Sequence, residues 1–237
     1  MTLVVYTASF GDANHLWSAL PGCEDVQHIA FVDRPKTEAG IWANDPPVIL
    51  PKSRRGLAPT WEQRVVEPKW GSRRTARHYK TLPHRYFPEA DTWLWVDDNV
   101  RSRIHPRIVV NQDLNELVAQ RHWKRKCVYE EVPACIEQEK DDPELLRAQE
   151  ARYRQAGMPE LWGLAQTGML IRRNTAAIRE LNEMWWAEIV GGSCRDQVSL
   201  PFVCWTLRLK WSILVGPSPQ PGRGDFIYVK HGTPVGA

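Results

Sequence analysis

TWLWVDDNVR, residues 92–101, sets five apolar or β-branched side chains directly before two acids and an amide. A run this apolar that stops abruptly at Asp97, Asp98 and Asn99 reads as a strand buried on both faces, with its polar end at a rim. LVVYT (3–7) and HIAFVD (28–33) repeat the design, the second closing on Asp33. Such strands, alternating with stretches of helical character, are the pattern of βαβ units: an α/β fold with a mainly parallel central sheet flanked by helices. Ligands of these sheets gather at the carboxyl ends of the strands. Thr7, Ser9, Phe10 and Asp33 are therefore expected on the same rim as residues 97–99.

Working outward, a helix is expected near 13–19, and the Pro-, Gly- and Arg-rich stretch 44–68 reads as irregular, with one short strand at 48–50. Ser72 is expected to cap a helix running to about Thr81, where Pro83 disturbs it. That helix would set Arg73, Arg77 and Lys80 on adjoining faces. LNELVAQ (114–120) reads as helix and KCVYEEV (126–132) as strand. Asp141, Asp142 and Pro143 open a helix reaching Gln155, which Gly157 and Pro159 stop. TGMLIRR (167–173) is another buried strand. Asn174 is expected to cap a helix through Trp185 and Trp186, the chain restarts near Ser193, and 217–237 is loop around FIYV (226–229). No internal repeat interrupts the alternation.

The 237 residues suit one domain, 1–237, with 43% hydrophobic and 25% charged residues placing the chain among ordinary globular proteins. Twelve tryptophans are many for this length; most are expected in packing, a few as flat platforms for sugars or bases. A net charge of +3 and a pI near 8.6 do not by themselves imply nucleic-acid binding. Basic residues nevertheless cluster at 53–55, 72–80 and 121–126, each read first as a solvated helix face; with DNA as the partner, 53–55 and 121–126 would contact backbone phosphates. Five cysteines without zinc-type spacing read as reduced thiols. With no signal-like start and no bilayer-length apolar run, the expectation is a cytoplasmic protein with no membrane partner. Dinucleotide, P-loop and zincin motifs are absent, and the RGD at 223–225 reads as chance.

Three explanations compete for residues 97–99. Asp and Asn favour turns. Asp97 and Asn99, two positions apart, would share one side of an extended backbone and hold a hard cation between oxygens. Acid/base work by a carboxylate pair is disfavoured, because sequence neighbours point apart. A divalent ion there would neutralise a departing diphosphate, and the rest of such a site has candidates. Arg77 and Lys80 suit phosphate, His231 in YVKHGTP would complete a metal site, and Asp196 in SCRDQVS would sit beside the reacting carbon. His84 and Arg85 would extend a basic wall, and Tyr129, Glu130 and Glu131 would line an acceptor cleft or end a strand.

Taken in order, YTASFGD, FVD, ARHYKTLPHRYFP, LWVDDNV, CVYEE, GLAQTGMLIRR, WW and SCRDQVSLPF resemble the glycosyltransferase-like domain family first catalogued as a domain of unknown function and known from plant cell-wall and mucilage proteins. The resemblance runs from about Val4 to Trp205. It implies a GT-A-type nucleotide-sugar-binding fold, with glycogenin-like logic, in which an acid motif holds Mn2+ or Mg2+ against a donor diphosphate. Asp97 matches the first acid and Asn99 the position of the second, with Asp98 and His231 as further ligands. Arg77 and Lys80 match the basic helix, Gln166, Thr167 and Gly168 the segment under the donor sugar, and Asp196 and Gln197 a DQ pair. Thr7, Phe10 and Asp33 would hold the nucleoside. The expectation is a metal-assisted glycosyltransferase using a nucleotide-sugar, UDP-linked, on an acceptor glycan or protein, or on a hydroxylated base in DNA. The alternative is a non-catalytic module binding nucleotide-sugar or nucleic acid on the same fold.

Overall fold

The computed structural model describes residues 1–11, 15–17, 23–39, 60–102, 105–111, 115–214 and 226–228. Its centre is a seven-stranded sheet built from β1 (Leu3–Ser9), β3 (Gln27–Val32), β5 (Glu62–Val65), β6 (Thr92–Val96), β8 (Leu117–Arg121), β9 (Ala165–Arg173) and β10 (Ser212–Ile213). The spatial order is β10-β8-β9-β6-β1-β3-β5. Neighbours are parallel except at β9, which runs antiparallel to both β6 and β8. Every residue of β1 and β6 is buried, as apolar runs without alternation require of strands covered on both faces.

One face packs on α1 (Gly71–Thr81), α6 (Ala176–Gly191) and α7 (Asp196–Thr206). Tyr6, Phe31, Trp93, Trp95, Leu181 and Trp185 belong to that core. The other face holds Val5, Leu94, Val96 and Ile171 against Val109 and Val110 of α3 (Pro106–Val110). A third cluster joins α4 (Val128–Glu137) and α5 (Pro143–Gln155) to α7. The short α2 (Pro83–Tyr86) follows α1. Two small pairs complete the description, β2 (His15–Trp17) with β4 (Thr37–Ala39) and β7 (Val100–Ser102) with β11 (Phe226–Tyr228). Among the described residues no helix is long and apolar enough to cross a membrane. All five cysteines are free thiols, four of them buried.

Several local expectations are corrected. His15–Trp17 is strand, not part of a helix. LNELVAQ, rich in helix formers, becomes β8, because Leu117, Val118, Ala119 and Gln120 are buried in a row beside β9; two-sided burial overrides propensity. KCVYEEV becomes α4, since Val128, Val132 and Cys135 are buried at i, i+4 and i+7, one stripe of a helix. Trp70 rather than Ser72 occupies the cap of α1, and Thr175 rather than Asn174 caps α6, accepting from Ile178 N–H. Asn174 instead donates to the carbonyls of Pro88 and Ala90. The irregular stretch contains β5 at its end. Residues 48–50, the RGD and His231 lie outside the described residues.

Candidate functional site

After β1 the sheet grows through β3 and β5 on one side and through β6 on the other, so strand order reverses at the β1/β6 boundary, where carboxyl ends leave a crevice. Asp97 follows β6 there. Because β9 is antiparallel, its first residues meet that same end, and Gly168 C=O accepts from Asp97 N–H at 2.8 Å. The β8/β9 register jumps from Ala119↔Leu170 to Gln120↔Gln166. Thr167, Gly168 and Met169 thus bulge away from β8, a device that re-aims side chains beside sites.

The bulge brings Thr167 Oγ1 to donate to Asp196 Oδ2 at 2.7 Å. Asp196, 2% exposed, also receives Lys80 Nζ at 2.5 Å on Oδ2 and faces Arg77 Nε at 2.9 Å from Oδ1. The Arg77 contact is an ion pair outside hydrogen-bond angles. Burial alone would raise the Asp196 pKa; Arg77, then Lys80 and Arg195, hold it far below the ordinary carboxylate range. Lys80 Nζ also donates to Asp97 Oδ1 at 3.1 Å, where Trp95 Nε1 donates at 2.7 Å. Lys80 thus pairs with two acids at once and lies over the Trp95 ring, 5.3 Å from its centroid.

Lys80 is held in place from the sheet. The Arg172 guanidinium, fully buried on β9, donates to the carbonyls of Lys80 and Thr81, to Tyr6 Oη and to Asn182 Oδ1. A cation at the end of α1 suits both the unsatisfied carbonyls and the helix dipole.

A polar cavity of about 360 Å³ opens over this cluster. Arg77 of α1, Asp97 and Asn99 after β6, and Gln166, Thr167 and Gly168 of β9 line it. So do Arg195, Asp196 and Gln197 at the start of α7, Gln138 and Lys140 after α4, and the 122–125 segment after β8. Among the described lining residues, the cations Arg77, Lys124, Arg125, Lys140 and Arg195 face only Asp97 and Asp196 as acids. Burial first, then Arg195, pushes the Lys140 pKa down. The N-terminal turn of α7 adds further positive potential.

The sequence-derived candidates are thus brought together in part. Asp97, Asn99, Arg77, Gln166, Thr167, Gly168, Asp196 and Gln197 share the cavity. Lys80 lies behind it, 0% exposed, rather than at its surface. Asp98 adjoins without lining it. Thr7, Phe10 and Asp33 lie apart: Thr7 is inside β1, Phe10 stacks on Tyr79, and Asp33 accepts from Gly11 N–H and pairs with Lys36. His84 and Arg85 do not extend the wall, for both bind Glu183 of α6. Tyr129 donates to Met158 C=O and Glu130 accepts from Lys126 N–H. Glu131, fully buried, bonds the Arg125 guanidinium, so this trio props the wall instead of lining it. Sequence reasoning missed Arg125, Lys140 and Arg195. The cluster at 121–126 and the Arg beside Asp196 were the signals available for two of them.

Fold and site together define a mixed, mostly parallel α/β domain with an anion-attracting cavity at its strand ends. The chain belongs to the TOD1/MUCI70 glycosyltransferase-like domain family, whose profile matches residues 26–216. No curated protein matches it.

Proposed function

We propose that the protein is a GT-A-type glycosyltransferase moving a sugar from a nucleoside diphosphate, UDP by family resemblance, to an acceptor hydroxyl. The observation that carries this is the pairing of Asp97 and Asn99 with five cationic side chains across one cavity at the strand ends. A departing diphosphate gathers negative charge on its bridging oxygen. Arg77, Arg195 and the first turn of α7 are fixed donors for that charge before the bond breaks, which is where electrostatic stabilisation acts best. Gln166 Oε1 is buried without a described partner and would accept a donor-sugar hydroxyl, with Thr167, Gly168 and Gln197 beneath and beside the ring. Asp196 stays ionised, keeping Arg77 and Lys80 aligned next to the reacting carbon. The nucleoside would reach along the rim toward Thr7, Phe10 and Asp33.

Both described side-chain hydrogen bonds of Asp97 fall on Oδ1, leaving Oδ2 to join Asn99 in holding Mn2+ or Mg2+, with Asp98 and His231 as further ligands. When bound, the ion would supply Lewis-acid neutralisation of the leaving group.

Thermal shift with nucleoside diphosphates and UDP-sugars, with and without Mn2+, tests the reading, because a ligand at a hundred times its Kd stabilises by about 2.7 kcal/mol. The expected result is a shift with UDP only when Mn2+ is present, lost in Asp97→Ala. A shift without the ion removes the metal and keeps the donor. No shift with any nucleotide in either condition overturns the proposal.

A further inference from the structure

Beside the donor cavity lies a larger one, about 620 Å³, and residues 122–125 form a wall common to both. Its chemistry is different. The smaller cavity offers acceptors for sugar hydroxyls in Asp97, Asn99, Gln138, Gln166 and Gln197. The larger is lined, among the described residues, by no Asp, Glu, Asn, Gln, Ser or Thr. Its one side-chain acceptor is the ring of His122, whose Nδ1 already accepts from Lys124 and Arg125 N–H. A polyol ligand would leave its hydroxyl donors without side-chain partners there.

What the lining offers is cations and flat rings. Arg121, Lys124, Arg125, Lys126 and Lys210 contribute the charge, Trp123, Trp162 and Trp211 the surfaces. The arrangement is built. Gly163, at φ +112, lets the Trp211 indole close in, for a Cβ there would come within 3.0 Å of the ring. Arg125 is braced from behind by the buried Glu131 carboxylate, and Lys124 Nζ sits 4.4 Å from the Trp123 ring centroid. Trp123 is nevertheless 56% exposed. A single DNA strand has the complementary set: its sugar–phosphate backbone carries only acceptors and one charge per nucleotide, and each base presents a face for stacking.

We propose that this cavity binds single-stranded DNA. Resting on the transferase reading, we further take a hydroxylated base on this strand as the acceptor: its oxygen bonds to the anomeric carbon as that carbon's bond to the diphosphate breaks, and the hydroxyl proton passes to water.

Fluorescence anisotropy of a labelled twelve-nucleotide single-stranded DNA, with no donor present, tests the binding. Each phosphate neutralised contributes about 0.7 to the slope of log affinity against log salt, so three or four contacts give a slope of roughly 2 to 3. Trp123→Ala should weaken binding about tenfold. Combining Lys124→Ala with Lys210→Ala should lower the slope by about 1.4. All three residues are exposed, so the variants keep the fold. Absence of binding at low salt, affinity unchanged in the variants, or displacement by polygalacturonate at equal charge overturns the inference, the last assigning the cavity to acidic glycans. The donor titration contains no oligonucleotide and this one no donor, so either reading can fail while the other stands.

Discussion

At the scale of single residues, Lys80 decides how the site is held. Its ammonium group is fully buried against Asp97 and Asp196, and removing one member of a buried ion pair leaves an uncompensated charge that costs about 3–5 kcal/mol. Lys80→Met should therefore lose unfolding free energy of that order in a urea titration and should also abolish any donor shift. Stability near the wild-type value would mean that Arg77 and Arg195 suffice to hold Asp196. Asp97 and Arg77 were readable as candidates, because an acid behind a buried strand and an arginine on a preceding helix are local patterns. The inward turn of Lys80 was not: it depends on Arg172, which lies 92 positions away along the chain and grips the Lys80 carbonyl. Nor could adjacency in sequence reveal that Arg195, Arg125 and Lys140 converge, since they come from three separate segments.

Among elements, the long buried strands were legible, and the short or two-faced ones were not. Apolar runs closing on Asp33 and Asp97 left no other reading, whereas Leu, Ala and Gln in residues 117–120 prefer helix until a sheet buries both their sides. Helix ends give a direct test of the difference. Asp142 accepts from Glu144 and Leu145 N–H ahead of Pro143, as its sequence suggests, while Ser72 sits inside α1, where no side-chain cap bond is made. Asp142→Ala should cost about 1 kcal/mol and Ser72→Ala close to nothing. Equilibrium urea unfolding at unchanged m reads both; equal losses would restore Ser72 as the cap.

For the molecule as a whole, buried histidines set the acid limit, with His28 and His78 the most shifted and His122 moved the same way by burial. Burial brings His28 and His78 from the ordinary 6.5 down to about 4. The folded state therefore resists protonation that the unfolded chain accepts, so stability is full above about pH 6.5 and drains as pH falls toward 4. A tenfold loss of proton affinity on folding corresponds to about 1.4 kcal/mol. Urea midpoints measured from pH 7 to 4.5 should fall, and His78→Gln should flatten the decline; a flat wild-type profile would contradict it. Asp196 enters below this window: its carboxyl stays ionised in the folded state, so its contribution is lost only once the unfolded chain's carboxyl begins to protonate, at about pH 4.

The reversed direction of β9 carries a consequence for how such a domain diversifies. The chain enters this strand at the cavity and leaves it, at Arg173, on the far edge of the sheet. Leu161, Trp162 and Gly163, which precede it, therefore shape the larger cavity's mouth, while the Asn174–Thr175 connection lies remote from it. Exchanges at the exposed Leu161 can retune what the larger cavity admits, because that side chain stays outside the core that Met158 and Trp162 join.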